Sequence, residues 1–182
     1  MENTQQTLKE AVNDVHRAAE QTALAQAMIR GTLTPDLYYQ FLYNIREIYF
    51  ALEQRLPELP ANIKRVDSYD RDIQEMNREH GRIVPAVAHY VRYIEELDIK
   101  DVWAHTYVHY LGNMYGGQML KKRMPGPSSH LDFENVQDSI AYIRSQIADI
   151  RHQEAIVSFD WTIRIYDELY RTFGQNGTPP QV

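Results

Sequence analysis

Four side chains near the start of the chain are spaced to meet a bound molecule: Lys9, Asn13, His16 and Glu20. On an α-helix, at ~100° per residue, they fall within about 60° of one another. Their stripe flanks an apolar seam of Leu8, Val12, Val15 and Ala19. An imidazole at the edge of such a seam can reach a ligand lying against the helix. Glu20, one turn on, can accept a hydrogen bond from the ring nitrogen left unligated, which fixes tautomer and ring orientation. The same spacing also suits a half-exposed histidine beside a solvated lysine and glutamate, and by itself it favours that plainer reading.

A second feature lies in HTYVHYLGNMYGGQMLKK, residues 105–122, where Gly112, Gly116 and Gly117 interrupt a helical pattern. Each interior glycine costs roughly 0.5–1 kcal/mol relative to alanine, so three together carry a penalty on the order of 2–3 kcal/mol that something must offset. Either Gly112 and Gly116 let another helix backbone approach closely, or the helix lies over a flat ligand that side chains would strike. His105 and His109, spaced i,i+4, could clamp a metal from one face, but no HExxH motif and no convincing pair of Glu-x-x-His motifs supports them, and seam histidines are the simpler expectation. His80, His89, His130 and His152 show no ligand spacing, and no Ser/His/Asp pattern, phosphate loop or dinucleotide fingerprint is present. Lys121, Lys122 and Arg123 form the one dense basic run. They read as a solvated helix end set against the negative C-terminal dipole, or as a docking point for an acidic partner.

The elements that must position these residues are helices throughout. Thr34 can cap a long helix with Pro35 at its first position, running to about Leu56. Ser68 opens a shorter one that Gly81 can end. Further helices are expected over about 85–97, 101–124 and 135–147, and a last one capped by Asp149 and ending before Gly174. No stretch alternates polar and apolar residues, so the expectation is an all-α bundle of seven or eight helices over residues 1–174, with 175–182 a frayed tail. A length of 182 residues suits one domain. The absence of cysteine excludes disulfides and thiolate chemistry, and a net charge of -6 argues against nucleic acid as the main partner. No apolar run approaches the ~20 residues of a membrane span, and the N-terminus lacks a secretory pattern, so a cytoplasmic, membrane-free protein is expected. Thirteen tyrosines against five phenylalanines point to rings packed in helix seams and cavities with their hydroxyls hydrogen-bonded.

Taken together, these segments resemble the biliverdin-forming heme oxygenases. LKEAVNDVHRAAE (8–20) is similar to the family's proximal helix and YLGNMYGGQMLKK (110–122) to its distal helix; GTLTPDLYYQFLYNIREIYFALEQ (31–54) and, more loosely, FDWTIRIYDEL (159–169) are similar to its second and last helices. The resemblance covers most of the chain in the family's order, and the two helix motifs are specific as a pair. It implies that His16 is the proximal ligand of heme b iron and Glu20 its orienter. It also implies that Gly112 and Gly116, with Gly117, let a kinked distal helix lie close over the iron. Lys9 and Tyr107 match positions that contact the heme propionates; Arg144 is the choice for an accompanying arginine from the 135–147 helix. Tyr49 matches a tyrosine that holds distal water, and Phe159 an aromatic lining the pocket. The implied reaction cleaves heme with O2 to biliverdin, carbon monoxide and iron. The lack of an anchor after Gly174 implies a soluble electron donor such as a ferredoxin, docking near Lys121, Lys122 and Arg123, and a downstream bilin reductase is a further possible partner. Asn113 departs from the pattern, since the family typically has aspartate there, and an amide does not ionise at neutral pH. Activity is expected to persist, with a non-catalytic heme-binding, storage or sensing protein as the alternative. Tyr115 is bulkier than the residue usual at its position and can close part of the pocket.

Overall fold

A computed structural model describes residues 7–147 and 152–174. These residues form eight α-helices and one 3-10 turn, with no strand among them: α1 Leu8–Glu20, α2 Ala23–Arg30, α3 Pro35–Arg55, α4 Val66–Met76, α5 Pro85–Glu96, α6 Ile99–Lys121, the turn Ser129–Leu131, α7 Val136–Gln146 and α8 His152–Phe173. The all-α expectation holds. The expected cap at Asp149 and the tail 175–182 lie outside the described residues.

Local chemistry accounts for the helix ends. Thr7 and Glu10 make a reciprocal capping box at the start of α1, and Thr34 accepts from the Leu37 amide with Pro35 beside it at the start of α3. Helix α2 was not anticipated. Thr22 caps it and Gly31 closes it with φ 68, so eight residues fold between two longer helices. Helix α4 begins at Val66 rather than Ser68 because its first amides are satisfied from another helix. The Glu53 carboxylate on α3 accepts from the Arg65 amide at 2.5 Å and the Val66 amide at 3.2 Å. It ends at Met76, where Asn77 takes the left-handed conformation (φ 47), well before Gly81. Helix α6 starts two residues before the expected Asp101 and stops at Lys121, ahead of the proline break.

Helix α3 runs through the core, packing on α4, α5, α6 and α8. Tyr38, Tyr49, Tyr69, Tyr90 and Tyr110 are fully buried, and their hydroxyls are hydrogen-bonded, as the tyrosine excess suggested. Helix α1 stands outside this core. It packs chiefly on α8, through a small cluster of Val12, Val108 and Ala155 with Phe159 against it. Between α1 and α6, with α8 behind them, the bundle is open.

Candidate active site

The opening consists of two cavities of about 230 and 400 Å³ that share His16, Val108, Gly112 and Phe159. The smaller reaches inward to Ile48, Tyr49, Tyr69 and Ile165; the larger opens outward past Lys9, Tyr107, Tyr115 and Arg144. Of the residues expected at the site, all except Gly117 line one or both.

On the α1 wall, the His16 side chain is 51% exposed and carries no buried partner. The Phe159 ring meets it edge-on at 5.5 Å between centroids, which sets the plane of the imidazole. Glu20 lies 3.8 Å from Nε2 of His16, beyond hydrogen-bonding range, so the orienting bond expected of it is not made here.

The α6 wall resolves the question of the glycines. A Cβ built on Gly112 or on Gly116 would meet nothing within 4 Å, which excludes close helix packing as their reason and leaves open space above the backbone. Gly117 is different and corrects the expectation. Its Cβ would come 3.0 Å from the Leu131 side chain, so it lets the 3-10 turn approach α6 and faces neither cavity. Helix α6 runs through all three glycines without interruption.

Directly after Gly112, the Asn113 amide donates to the Tyr49 hydroxyl at 2.7 Å and points to Tyr69 at 3.5 Å. Tyr49 in turn donates to the backbone carbonyl of His109 at 3.0 Å. Burial holds both tyrosine hydroxyls protonated, well above their ordinary range. At the mouth, Arg144 does come from α7 to the cavity that Lys9 and Tyr107 line, and its guanidinium donates to the Tyr115 hydroxyl at 2.9 Å. Tyr115 is 58% exposed and stands at the rim, leaving the pocket open.

Sequence reasoning missed a buried polar cluster behind the α6 wall. Nδ1 of His105 lies 2.6 Å from the Tyr90 hydroxyl, which lies 3.0 Å from Nε2 of His109 and 3.0 Å from Ser158. Nε2 of His105 meets the Glu154 carboxylate at 3.1 Å, and Tyr93 donates to the same oxygen at 2.9 Å. The i,i+4 histidines therefore share a tyrosine, and no group of three metal-ligating side chains occurs among the described residues. A second missed pair is Asp72 and His130, 2.7 Å apart and buried, which ties α4 to the 3-10 turn. The only sequence signal for either group was the spacing of His105 and His109.

The basic run is largely engaged. Lys121 pairs with Asp132 and Arg123 donates to the Ile29 carbonyl; Lys122 and Arg123 are both exposed, and Lys122 is the one of the three without such a bond among the described residues. A separate polar cavity of about 610 Å³, beside the 3-10 turn, shares no residue with the opening between α1 and α6. Its Arg65 is held by the carbonyls of Asn62, Ile63, Lys64 and Asp132, as a brace between segments.

The fold is thus an all-helical bundle whose apolar slot has a half-exposed imidazole on one wall and open space over the helix backbone on the other. The heme oxygenase family model matches residues 2–160, and the chain belongs to the heme oxygenase family. It is similar to the heme oxygenase of Takifugu rubripes, 27% identical over 214 residues, covering 96% of this chain and 77% of that protein. It is also 27% identical over 135 residues to heme oxygenase 1 of Homo sapiens, covering 64% of this chain and 47% of the human protein, about half its length. Among solved structures, heme oxygenase-1 from the cyanobacterium Synechocystis sp. PCC6803 in complex with heme superposes with a TM-score of 0.80 at 20% identity, covering 91% of each chain. The heme oxygenase of Leptospira interrogans gives 0.78 at 22%, covering 88% of this chain and 97% of that one.

Proposed function

We propose that this chain binds heme b between α1 and α6 and cleaves it to biliverdin, carbon monoxide and iron, using O2 and electrons from a soluble donor such as a ferredoxin. The observation that carries this reading is the pairing of a half-exposed imidazole at position 16 with open space over Gly112 and Gly116 across one slot. The residues present suit heme by their chemistry. Apolar walls suit the macrocycle, and the cations Lys9 and Arg144 with Tyr107 at the mouth suit its two carboxylates. When bound, heme supplies the redox chemistry and is itself the substrate.

The chain's own residues do the rest. His16 binds and orients, with Phe159 holding its ring. Lys9, Tyr107 and Arg144 fix the in-plane rotation, which selects the ring position presented to α6. Gly112 and Gly116 leave room for a small molecule beside the α6 backbone. Asn113 and Tyr49 hold hydrogen-bonding groups toward that room, with Asn113 donating and Tyr49 already committed to the His109 carbonyl.

The departure at Asn113 favours a second reading, a heme-binding protein that does not turn over, because neither Asn113 nor the backbone carbonyl beyond Tyr49 can release a proton. Adding hemin, a reductant and air in the presence of catalase separates the two. Bilin absorbance with released carbon monoxide supports cleavage, and an unchanged heme spectrum supports binding alone. For the donor, Lys122 is the free member of the basic run. Reversing its charge is expected to slow ferredoxin-driven turnover and spare ascorbate-driven turnover, and equal loss with both would count against docking there. No described helix is long and apolar enough to cross a membrane. A cytoplasmic setting, with a bilin reductase taking the product, fits this reading.

A further inference from the structure

Reduction of oxygen to water takes up one proton for each electron, so a heme-cleaving site needs a proton supply as well as a donor. The groups nearest the open glycines do not provide one. Asn113 cannot ionise, and the Tyr49 hydroxyl to which it donates is spent on the backbone carbonyl of His109. The imidazole of His109 lines the same inner cavity as Gly112, Asn113 and Gly116, and it leads away from the cavity through a continuous series of hydrogen bonds. Nε2 of His109 meets Tyr90 at 3.0 Å, Tyr90 meets Nδ1 of His105 at 2.6 Å, and Nε2 of His105 meets Glu154 at 3.1 Å. Glu154 keeps 19% of its side chain exposed at the first turn of α8, whereas His105 is fully enclosed.

We propose that Glu154, His105, Tyr90 and His109 form a proton-conducting chain from the surface at α8 to the cavity wall beside Gly112. The inference rests on the heme-cleaving reading above. The step balances without charge on any interior group. Protonated Glu154 donates to Nε2 of His105, Nδ1–H of His105 donates to Tyr90, Tyr90 O–H donates to Nε2 of His109, and the proton delivered is the one on Nδ1 of His109, a residue that lines the cavity. A concerted shift moves one proton along each link, so that one leaves the carboxylic acid and one arrives at the cavity. Afterwards every link points the other way: His109 donates to Tyr90, Tyr90 to His105, and His105 to a Glu154 carboxylate. Solvent then reprotonates Glu154, and reorientation of the Tyr90 hydroxyl and of the two imidazole rings, with no proton passing back along the links, restores the first arrangement.

The groups facing the chain suit conduction. Burial and the neighbouring His105 push the pKa of His109 down to about 3, and burial also lowers His105 against the opposing pull of Glu154 and Asp101. Burial raises the Tyr90 hydroxyl far above its ordinary range. Each interior group is therefore held neutral, passing a proton without storing it. Ser158 touches Tyr90 at 3.0 Å as a side branch that the path does not need, and Tyr93 donates to Glu154 from α5.

The test uses Glu154→Gln, Tyr90→Phe and, as a control, Ser158→Ala. In the ligand-free protein, side-chain nitrogen NMR is expected to show His105 and His109 as neutral rings. Glu154→Gln is expected to shift the His109 ring nitrogens as well as those of His105, because the two communicate across Tyr90. With hemin, reductant and air, Glu154→Gln and Tyr90→Phe are expected to bind hemin as the wild type does, yet form bilin on the order of tenfold more slowly and with a larger solvent isotope effect, while Ser158→Ala keeps the wild-type rate. Wild-type rates and isotope effects in both chain variants, equal slowing in Ser158→Ala, or His109 resonances unmoved by Glu154→Gln would overturn the proposal. If the wild type itself forms no bilin, the heme-cleaving reading fails, and the NMR coupling across Tyr90 still decides whether the chain exists.

Discussion

The two walls of the slot are prepared to different degrees. On α1, His16 and Glu20 are each 51% exposed and stand 3.8 Å apart, too far for a hydrogen bond. On the α6 side, His105 and Tyr110 of α6 are buried with Tyr49 of α3 and Tyr69 of α4 against them, and no buried side-chain polar atom among the described residues lacks a partner. The α6 wall is thus complete without ligand, while the α1 wall has a ligating group and nothing yet to ligate. A rigid wall can position small molecules within tenths of an ångström. The wall that must admit a large flat molecule is held to the bundle chiefly through α8 and a few apolar contacts. The lesson is that preorganisation sits where the chemistry needs it, and freedom where entry does.

Breaking the α1 side should cost function and little else. His16→Ala is expected to weaken hemin binding and bilin formation by more than the ~10–100-fold typical of losing a mere outer-shell partner. The melting temperature of the ligand-free protein should hardly move, because a half-exposed side chain contributes within about 0.5 kcal/mol. Absorption titration with hemin, alongside thermal melts, checks both halves.

Stressing the α6 side should do the reverse and cost stability. His109 has an ordinary pKa of 6.5 and about 3 in the folded chain. Above 6.5 both folded and unfolded states are neutral there; between 6.5 and 3 the unfolded state takes a proton that the fold refuses, so stability falls as pH falls. Going from pH 7 to pH 5 is expected to remove about 2 kcal/mol through this residue. His105 and His130, also lowered by burial, add loss of the same sign. Chemical denaturation at the two pH values, for the wild type and for His109→Gln, measures the share due to His109 as a flatter pH dependence in the variant.

Gly112→Ala sets stability against function at one atom. Since a Cβ there meets nothing, the substitution should stabilise the ligand-free protein by roughly 0.5–1 kcal/mol while weakening hemin binding or turnover about tenfold. Gly117→Ala, pressed on Leu131 instead, should leave hemin binding unchanged. A smaller gain is expected from Asn113→Asp. An ionised carboxylate can only accept, so Tyr49 should turn from the His109 carbonyl toward it, and bilin formation should rise severalfold in parallel single-turnover assays.

What the sequence disclosed follows the reach of its patterns. The stripe on α1 and the glycines on α6 are local patterns that period and the stability penalty of glycine pick out, but both left a plainer reading open until the resemblance of the two helices to one family decided between them. Gly117 misled because three neighbouring glycines look alike until the 3-10 turn at Leu131 is seen against one of them. Helix α2, at eight residues, is too short to carry a period of its own, and α4 begins early because its amides are capped by Glu53 from another helix. The chain from Glu154 to His109 joins residues 15 to 49 positions apart on three helices, which no spacing rule can bring together. The polar wall was therefore the least legible part of the site, although none of its buried polar atoms lacks a partner.

The most direct test of the central claim is a crystal structure of the hemin complex. The macrocycle is expected between α1 and α6, with a His16 ring nitrogen on the iron, Gly112 and Gly116 over its opposite face, and its carboxylates toward Lys9 and Arg144. A macrocycle seated elsewhere, or iron held by a different side chain, would contradict the account.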